Sequence, residues 1–230
     1  MSNKNIIISG AAGALGKDVV KKLSDSGFAL SLVVDEKNIS LFNSLPDQFS
    51  EVVDLLDEKA AATFVDKAIT TKGNIYGAVL LVGGYAPGEL ENATDADIRK
   101  MVDINFFTAF HLVKPLLAHF EKQGFGQIIL VGSKTALVAS EGAKSFAYAL
   151  SKSMVISLAD MINANKKYPK IIASVIVPST MDTPINRTVM PNADFTKWVP
   201  TKDVAEAIGF ILSDAGSNLR HTVLKIYNES

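Results

Sequence analysis

The chain has 230 residues, 48% of them hydrophobic and 20% charged, with 23 basic and 24 acidic side chains for a net charge of −1. That balance fits a globular protein and gives no electrostatic case for binding nucleic acid or an anionic membrane. With no cysteine, disulfides, thiol nucleophiles and thiolate metal ligands are excluded, which fits a reducing compartment.

Strand-like and helix-like segments alternate from the start. Met1–Lys4 runs into a short β-branched segment, Asn5–Ser9, rather than a secretory hydrophobic core, so a cytoplasmic protein is expected. Gly10 closes that strand. Ala14–Ser26 has helical spacing, with Leu15, Val19, Val20 and Leu23 apolar, and Gly27 stops it. Ala29–Val34 is the second strand and ends at Asp35. A short strand near Glu51–Val53 and a helix from about Asp57 to Thr71 follow. Tyr76–Val82 is almost wholly apolar, as a central parallel strand covered on both faces should be. Asp95–Lys122 reads as one long helix and Gly126–Val131 as a strand. Phe146–Lys166 is a further helix and Ile171–Val177 a further strand, before the helix Lys202–Leu212 and a last strand, Thr222–Tyr227. No apolar run is expected to approach a membrane span, and no linker divides the chain, so residues 1–230 are expected to form a single domain.

This order predicts an α/β fold: a doubly wound parallel sheet of about seven strands, of the Rossmann type, with helices on both faces. Sites in such sheets lie at the carboxyl ends of the strands. Ser9–Gly16, Asp35, Asp54, Gly83–Gly84, Ser133 and Pro178–Thr183 all fall just after predicted strands.

The run Ser9-Gly10-Ala11-Ala12-Gly13-Ala14-Leu15-Gly16 joins the first strand to the first helix. Glycines there allow a tight turn and let backbone N–H groups approach a pyrophosphate. Asp35 comes 19 residues after Gly16 (35 − 16), near the spacing at which a carboxylate accepts hydrogen bonds from an adenosine ribose. A carboxylate there repels a 2′-phosphate, so NADH/NAD is expected over NADPH. Tyr148 and Lys152 lie four apart on a predicted helix and share one face. An ammonium beside a phenol is expected to lower the phenol's pKa toward the range useful for general acid–base work. His111, His119 and His221 are scattered, the first two on the surface of one helix, and no metal site is expected.

With its glycine turn and Tyr148/Lys152 pair, the chain resembles a short-chain dehydrogenase/reductase over its whole length. The resemblance implies an oxidoreductase acting on a small molecule. Tyr148, Lys152, Ser133 and Asn105 would be catalytic. The cofactor would lie against Gly10, Ala12, Gly13, Leu15, Gly16, Asp35, Asp54, Gly83, Gly84, Pro178 and Thr183, as well as Tyr148 and Lys152. Asp54 matches the adenine-contacting aspartate. Asn105 matches the helix asparagine whose backbone and bound water connect the lysine to solvent. The equivalents of the helices at 95–122 and 146–166 form a dimeric four-helix bundle in that family, so a homodimer or tetramer is expected.

The segments Pro178–Arg187 and Met190–Trp198, with Gly83-Gly84-Tyr85-Ala86, are similar to the dihydropteridine reductase branch. That likeness implies NADH-dependent reduction of a quinonoid dihydropterin, with Tyr85, Ser133 and Trp198 toward the substrate, Trp198 and Phe195 forming an aromatic wall, and Thr183-Pro184 beside the nicotinamide carboxamide. The stretch Ala12–Gly16 is similar to that branch too, although Ala14 sits where many members of the wider family have a second turn glycine. One departure stands against the branch. Ser133 stands where that branch carries alanine and lies 15 residues before Tyr148 (148 − 133), longer than usual for the family, which makes Thr135 a rival. Reduction of an ordinary carbonyl, or oxidation of an alcohol, is the alternative, and a non-catalytic dinucleotide sensor a third reading.

Overall fold

A computed structural model describes residues 4–45 and 47–230; Met1, Ser2 and Asn3 of the expected N-terminal run lie outside the described residues. Every residue of β1, Asn5–Ser9, and of β2, Ala29–Val34, is buried. Runs without polar alternation demand cover on both faces of the sheet, and the helices supply it. Ile7 packs with α2 (Glu58–Lys72), while Ile6 and Ile8 pack with α1 (Ala14–Asp25) on the other face. The two-residue strand period thus feeds two separate cores.

The remaining strands of the main sheet are β3 (Gln48–Val52), β4 (Ile75–Leu80), β5 (Gly126–Val131), β6 (Ile171–Pro178) and β9 (Val223–Ile226). All seven are parallel, in the order β3-β2-β1-β4-β5-β6-β9. This is the doubly wound sheet expected. Order reverses at β1, so a crevice opens between the carboxyl ends of β1 and β4.

The long helix divides. Asp95–Val102 (α3) and Thr108–Gln123 (α4) are joined without interruption by a π-helical turn, Asp103–Phe107. Together they span Asp95–Gln123, apolar and long enough to cross a membrane by length and composition. This corrects the expectation that no run approaches that length. Much of its apolar character serves the core, where Leu112, Val113, Leu116 and Phe120 are fully covered. The histidines also depart from expectation. His119 Nε2 accepts the Ile75 N–H at 3.1 Å, and His111 Nδ1 lies 2.8 Å from the Leu55 carbonyl oxygen, so both tie α4 to neighbouring elements.

Several short elements follow the strand ends: α5 (Lys134–Leu137), α6 (Ala139–Gly142), β7 (Met181–Asp182), α8 (Pro184–Val189) and β8 (Val199–Pro200), besides 3-10 turns at Glu36–Phe42 and Phe195–Lys197. The helices α7 (Phe146–Ala164) and α9 (Thr201–Leu212) complete the two faces.

Candidate active site

The turn after β1 is built by what its glycines lack. Gly10 has φ +68°, a left-handed conformation open to glycine, and a Cβ there would lie 3.1 Å from the Val82 nitrogen. A Cβ on Gly16 would lie 2.1 Å from the Gly10 oxygen, so helix and loop interlock only without one. Gly13 is the N-cap of α1. No side chain caps that helix and no acidic residue stands in its first turn, which leaves the helix N-terminus with its positive end free for an anion. Ala12 is part-exposed beside it, while the Leu15 side chain is buried in the core and can offer only its backbone.

A cleft of about 430 Å³ runs from this turn across β2 and β3, lined by Gly10, Ala12, Gly13, Asp35, Asp54 and Val82 among others. Both Asp35 oxygens accept from Asn38 Nδ2 at 2.8 Å. Asp54 Oδ1 accepts the Leu56 N–H at 2.9 Å. Apolar walls at Val33, Val53, Leu55 and Leu56 suit a flat base, and the Asp35 carboxylate suits ribose hydroxyls. The donor set fits a dinucleotide.

At the far side of β4, four side chains converge. Asn105 lies inside the π turn and is 1% exposed. Its Nδ2 donates to the Gly84 carbonyl (3.0 Å) and to Ser151 Oγ (3.1 Å), while its Oδ1 accepts the Gly84 N–H (3.0 Å). A Cβ on Gly83 would meet Asn105 Oδ1 at 2.6 Å and Lys152 Nζ at 3.2 Å. The pair Gly83-Gly84 is therefore the space that lets two buried side chains reach the strand end. Lys152 is buried and donates to the Val131 carbonyl at 2.8 Å. Burial pulls its ammonium down to a pKa of about 8.

Tyr148 sits one turn before Lys152, its ring 5.0 Å from that of Tyr85 in an edge-to-face pair. Burial raises the phenol's pKa; the Ser133 hydroxyl beside it pulls the other way, and the Tyr85 phenol raises it further. Sequence spacing led to the opposite expectation, that Lys152 would lower this pKa. The ammonium is instead committed to the Val131 carbonyl, so desolvation dominates. Ser133, not Thr135, stands next to the phenol; the two hydroxyls are hydrogen-bonded to each other at 2.9 Å.

The segment from β6 to α9 departs from expectation. Pro178 ends β6 in register with Ile226 of β9. Thr183 is buried and accepts the Asn186 N–H at 3.2 Å as the N-cap of α8, with Pro184 at the first helical position. Its own O–H remains available to donate. Trp198 lies beside Phe195 and away from the phenol. It is 6% exposed, its ring packed 4.7 Å from Phe195. Arg187 lies over that Phe195 ring at 4.7 Å and forks Asp182 through Nε (2.6 Å) and an Nη nitrogen (2.8 Å). This knot lines a separate cavity of about 670 Å³, whose walls do not include Tyr148, Ser133 or Tyr85. Phe195 and Trp198 form an aromatic edge of that cavity, and the Asp182–Arg187 pair braces it.

Sequence reasoning missed Asn38 and Ser151, and gave Ser9 only a place at the head of the glycine-rich turn. Ser9 Oγ accepts the Leu81 N–H at 3.1 Å and so ties β1 to the end of β4. The only prior signal for Ser151 was its place between Tyr148 and Lys152. Asn38 had none, since a 3-10 turn folds it back onto Asp35.

A family model described as short chain dehydrogenase matches residues 4–194. The chain is similar to a dihydropteridine reductase of Dictyostelium discoideum, 29% identical over 215 residues, covering 90% of this chain and 86% of that protein. It is also similar to a 7alpha-hydroxysteroid dehydrogenase of Escherichia coli, 24% identical over 241 residues, covering 98% and 93%. Among solved structures, a short-chain type dehydrogenase/reductase from Mycobacterium ulcerans superposes with a TM-score of 0.89 at 20% identity, covering 99% of this chain and 89% of that one. ElxO with NADP bound gives 0.88 at 22% identity, covering 98% of each.

Proposed function

The chain belongs to the short-chain dehydrogenase/reductase family, an NAD(P)-dependent oxidoreductase acting on a small molecule, and on that premise we propose that it reduces a quinonoid dihydropterin with NADH. The observation that carries the reading is the Tyr85 ring set 5.0 Å from Tyr148. It gives a flat heteroaromatic substrate an aromatic face next to a proton donor. Likeness to the Dictyostelium dihydropteridine reductase supports it.

When bound, the reduced nicotinamide supplies the hydride. The Gly10–Gly16 turn and the start of α1 hold the pyrophosphate, Asp35 the adenosine ribose, Asp54 the adenine, and Gly83-Gly84, Pro178 and Thr183 the nicotinamide end. Tyr148 gives its phenolic proton to one nitrogen of the substrate's conjugated system as the hydride is delivered to another, since the tetrahydropterin carries both new hydrogens on nitrogen. A phenol held neutral by burial is suited to donating. Lys152, which donates to the Val131 carbonyl beside the site, steadies the nicotinamide ribose, and the Ser133 hydroxyl stabilises the phenolate that remains. Asn105 keeps Gly84 and Ser151 in place behind them. Asp35, fixed by Asn38, presents a full negative charge where NADPH carries a phosphate, which favours NADH.

Ser133 beside the phenol favours a second reading, reduction of a carbonyl whose developing oxyanion accepts from both hydroxyls. One assay separates the readings: NADH oxidation with chemically generated quinonoid dihydropterin, and with a panel of keto compounds. Turnover with the pterin, with NADH preferred to NADPH in kcat/KM, is expected. Turnover only with keto compounds selects the second reading. Coenzyme binding with no turnover on either panel would make the chain a sensor.

A further inference from the structure

Lys134 follows Ser133 directly and takes no part in the chemistry above, yet it touches three parts of the molecule. Its Nζ lies 2.8 Å from Glu141 Oε1, donates to the Ser230 carbonyl at 3.1 Å and sits 5.3 Å from the centroid of the Tyr227 ring. The Tyr227 hydroxyl is buried with no partner among the described residues. The Tyr227 carbonyl accepts from Ser179 Oγ at 2.6 Å, which ties the same corner to the end of β6.

The segment being held is the one that most needs holding. Ser133 to Gly142 leaves β5 as two single-turn helices, α5 and α6, and elements this short have little stability of their own. Ser133 caps α5 by accepting the Thr135 N–H at 3.3 Å. At the other end a Cβ on Gly142 would lie 2.5 Å from the Thr135 carbonyl oxygen, so the segment doubles back tightly on itself. Its outer side is fixed through Lys134.

We propose that Lys134 is a positioning residue, which sets the Ser133 hydroxyl against the Tyr148 phenol by clamping the segment 133–142 to the Tyr227 corner of the sheet. The proposal rests on Tyr148 as proton donor but is read without any substrate. The groups acting on the Tyr148 phenol are Ser133 from α5's N-cap and Tyr85 from the loop after β4, and Lys152 lies one turn on along α7. Lys134 is not among them, so its effect must pass through Ser133.

The test is the ionisation of Tyr148 in the NAD complex, followed by NMR of ring-carbon-labelled tyrosine and assigned with Tyr148→Phe. Removing the hydroxyl with Ser133→Ala should raise the midpoint by about one pH unit, since a hydrogen bond to the charged form is lost. Lys134→Met should raise it comparably, Lys134→Arg should restore it, and Lys134→Met combined with Ser133→Ala should move it no further than Ser133→Ala alone. Glu141→Gln, which weakens the clamp from its other side, should give a smaller rise and reads the same geometry if Lys134→Met does not fold. A wild-type midpoint in Lys134→Met, or additive shifts in the double variant, overturns the proposal. Absence of turnover with these shifts intact would instead overturn the proposed reaction.

Discussion

Lys152 is the residue whose environment most constrains the chemistry. Its pKa of about 8 in the fold lies below the ordinary 10.5, so between those values the unfolded chain binds the proton more readily and stability rises with pH. The buried charge is a burden below pH ~8 and is relieved as pH climbs toward ~10.5, by about 3 kcal/mol in all. Denaturant unfolding across that window should show this rise in the wild type and lose it in Lys152→Met; parallel curves for the two would contradict the burial. Tyr148→Phe should cut kcat by about 10²–10⁴-fold, the range for a positioned proton donor, while fluorescence titration finds NADH affinity little changed. The pairing of Tyr148 with Lys152 was legible from the four-residue spacing. The direction of the phenol's pKa was not, because it depends on where the ammonium points, and that is set by the Val131 carbonyl on a strand 21 residues away.

Among the elements, the π turn at Asp103–Phe107 is the informative irregularity. Widening the helix by a residue turns Asn105 inward, where it satisfies both backbone groups of Gly84 and the Ser151 hydroxyl. Asn105→Ala takes their side-chain partner from the part-buried Gly84 N–H and carbonyl, at up to about 1–3 kcal/mol for each that stays unsatisfied, while Ser151 Oγ keeps its bond to the Tyr148 carbonyl. A lower melting temperature together with weaker NADH binding is the expected pair of effects; lower stability with unchanged NADH affinity would show that Gly83-Gly84 does not contact the coenzyme. Helical periodicity over 95–122 revealed one apolar element but not its widened turn, since a single extra residue per turn leaves the apolar stripe nearly intact. The brace of Asp182, Arg187, Phe195 and Trp198 was not legible for a similar reason, since the pairing of Asp182 with Arg187 and of Arg187 with Phe195 leaves no periodic trace in the sequence.

For the whole molecule, strand order followed from the β-α alternation, because right-handed crossovers leave few ways to lay parallel strands side by side. The small ribbon of β7 and β8 did not, as two-residue strands carry no periodic signal. Phe106, Phe107 and Phe110 cluster along the turn and α4, Phe106 stacked on Phe110 and Phe107 edge-on to both, with ring centroids 5.5–6.3 Å apart and Phe107 37% exposed. In the homodimer proposed from the family resemblance, this aromatic face meets its copy. Sedimentation should give twice the 24.6 kDa chain mass or more, with Phe107→Lys shifting it toward the monomer. A wild-type protein sedimenting as a monomer at micromolar concentration would dismiss that assembly.

The turn after β1 is already held by its own bonds. Gly13 N–H donates to the Gly10 carbonyl at 3.1 Å, Ala11 N–H to the Val33 carbonyl at 3.3 Å, and Gly16 packs where no methyl fits. A socket finished in advance has little disorder to surrender when its guest arrives, so association need not wait on a rearrangement there. Thermodynamically, the capture of the diphosphate should then look like a plug entering a rigid mould, with its entropy change set by released water and not by the chain.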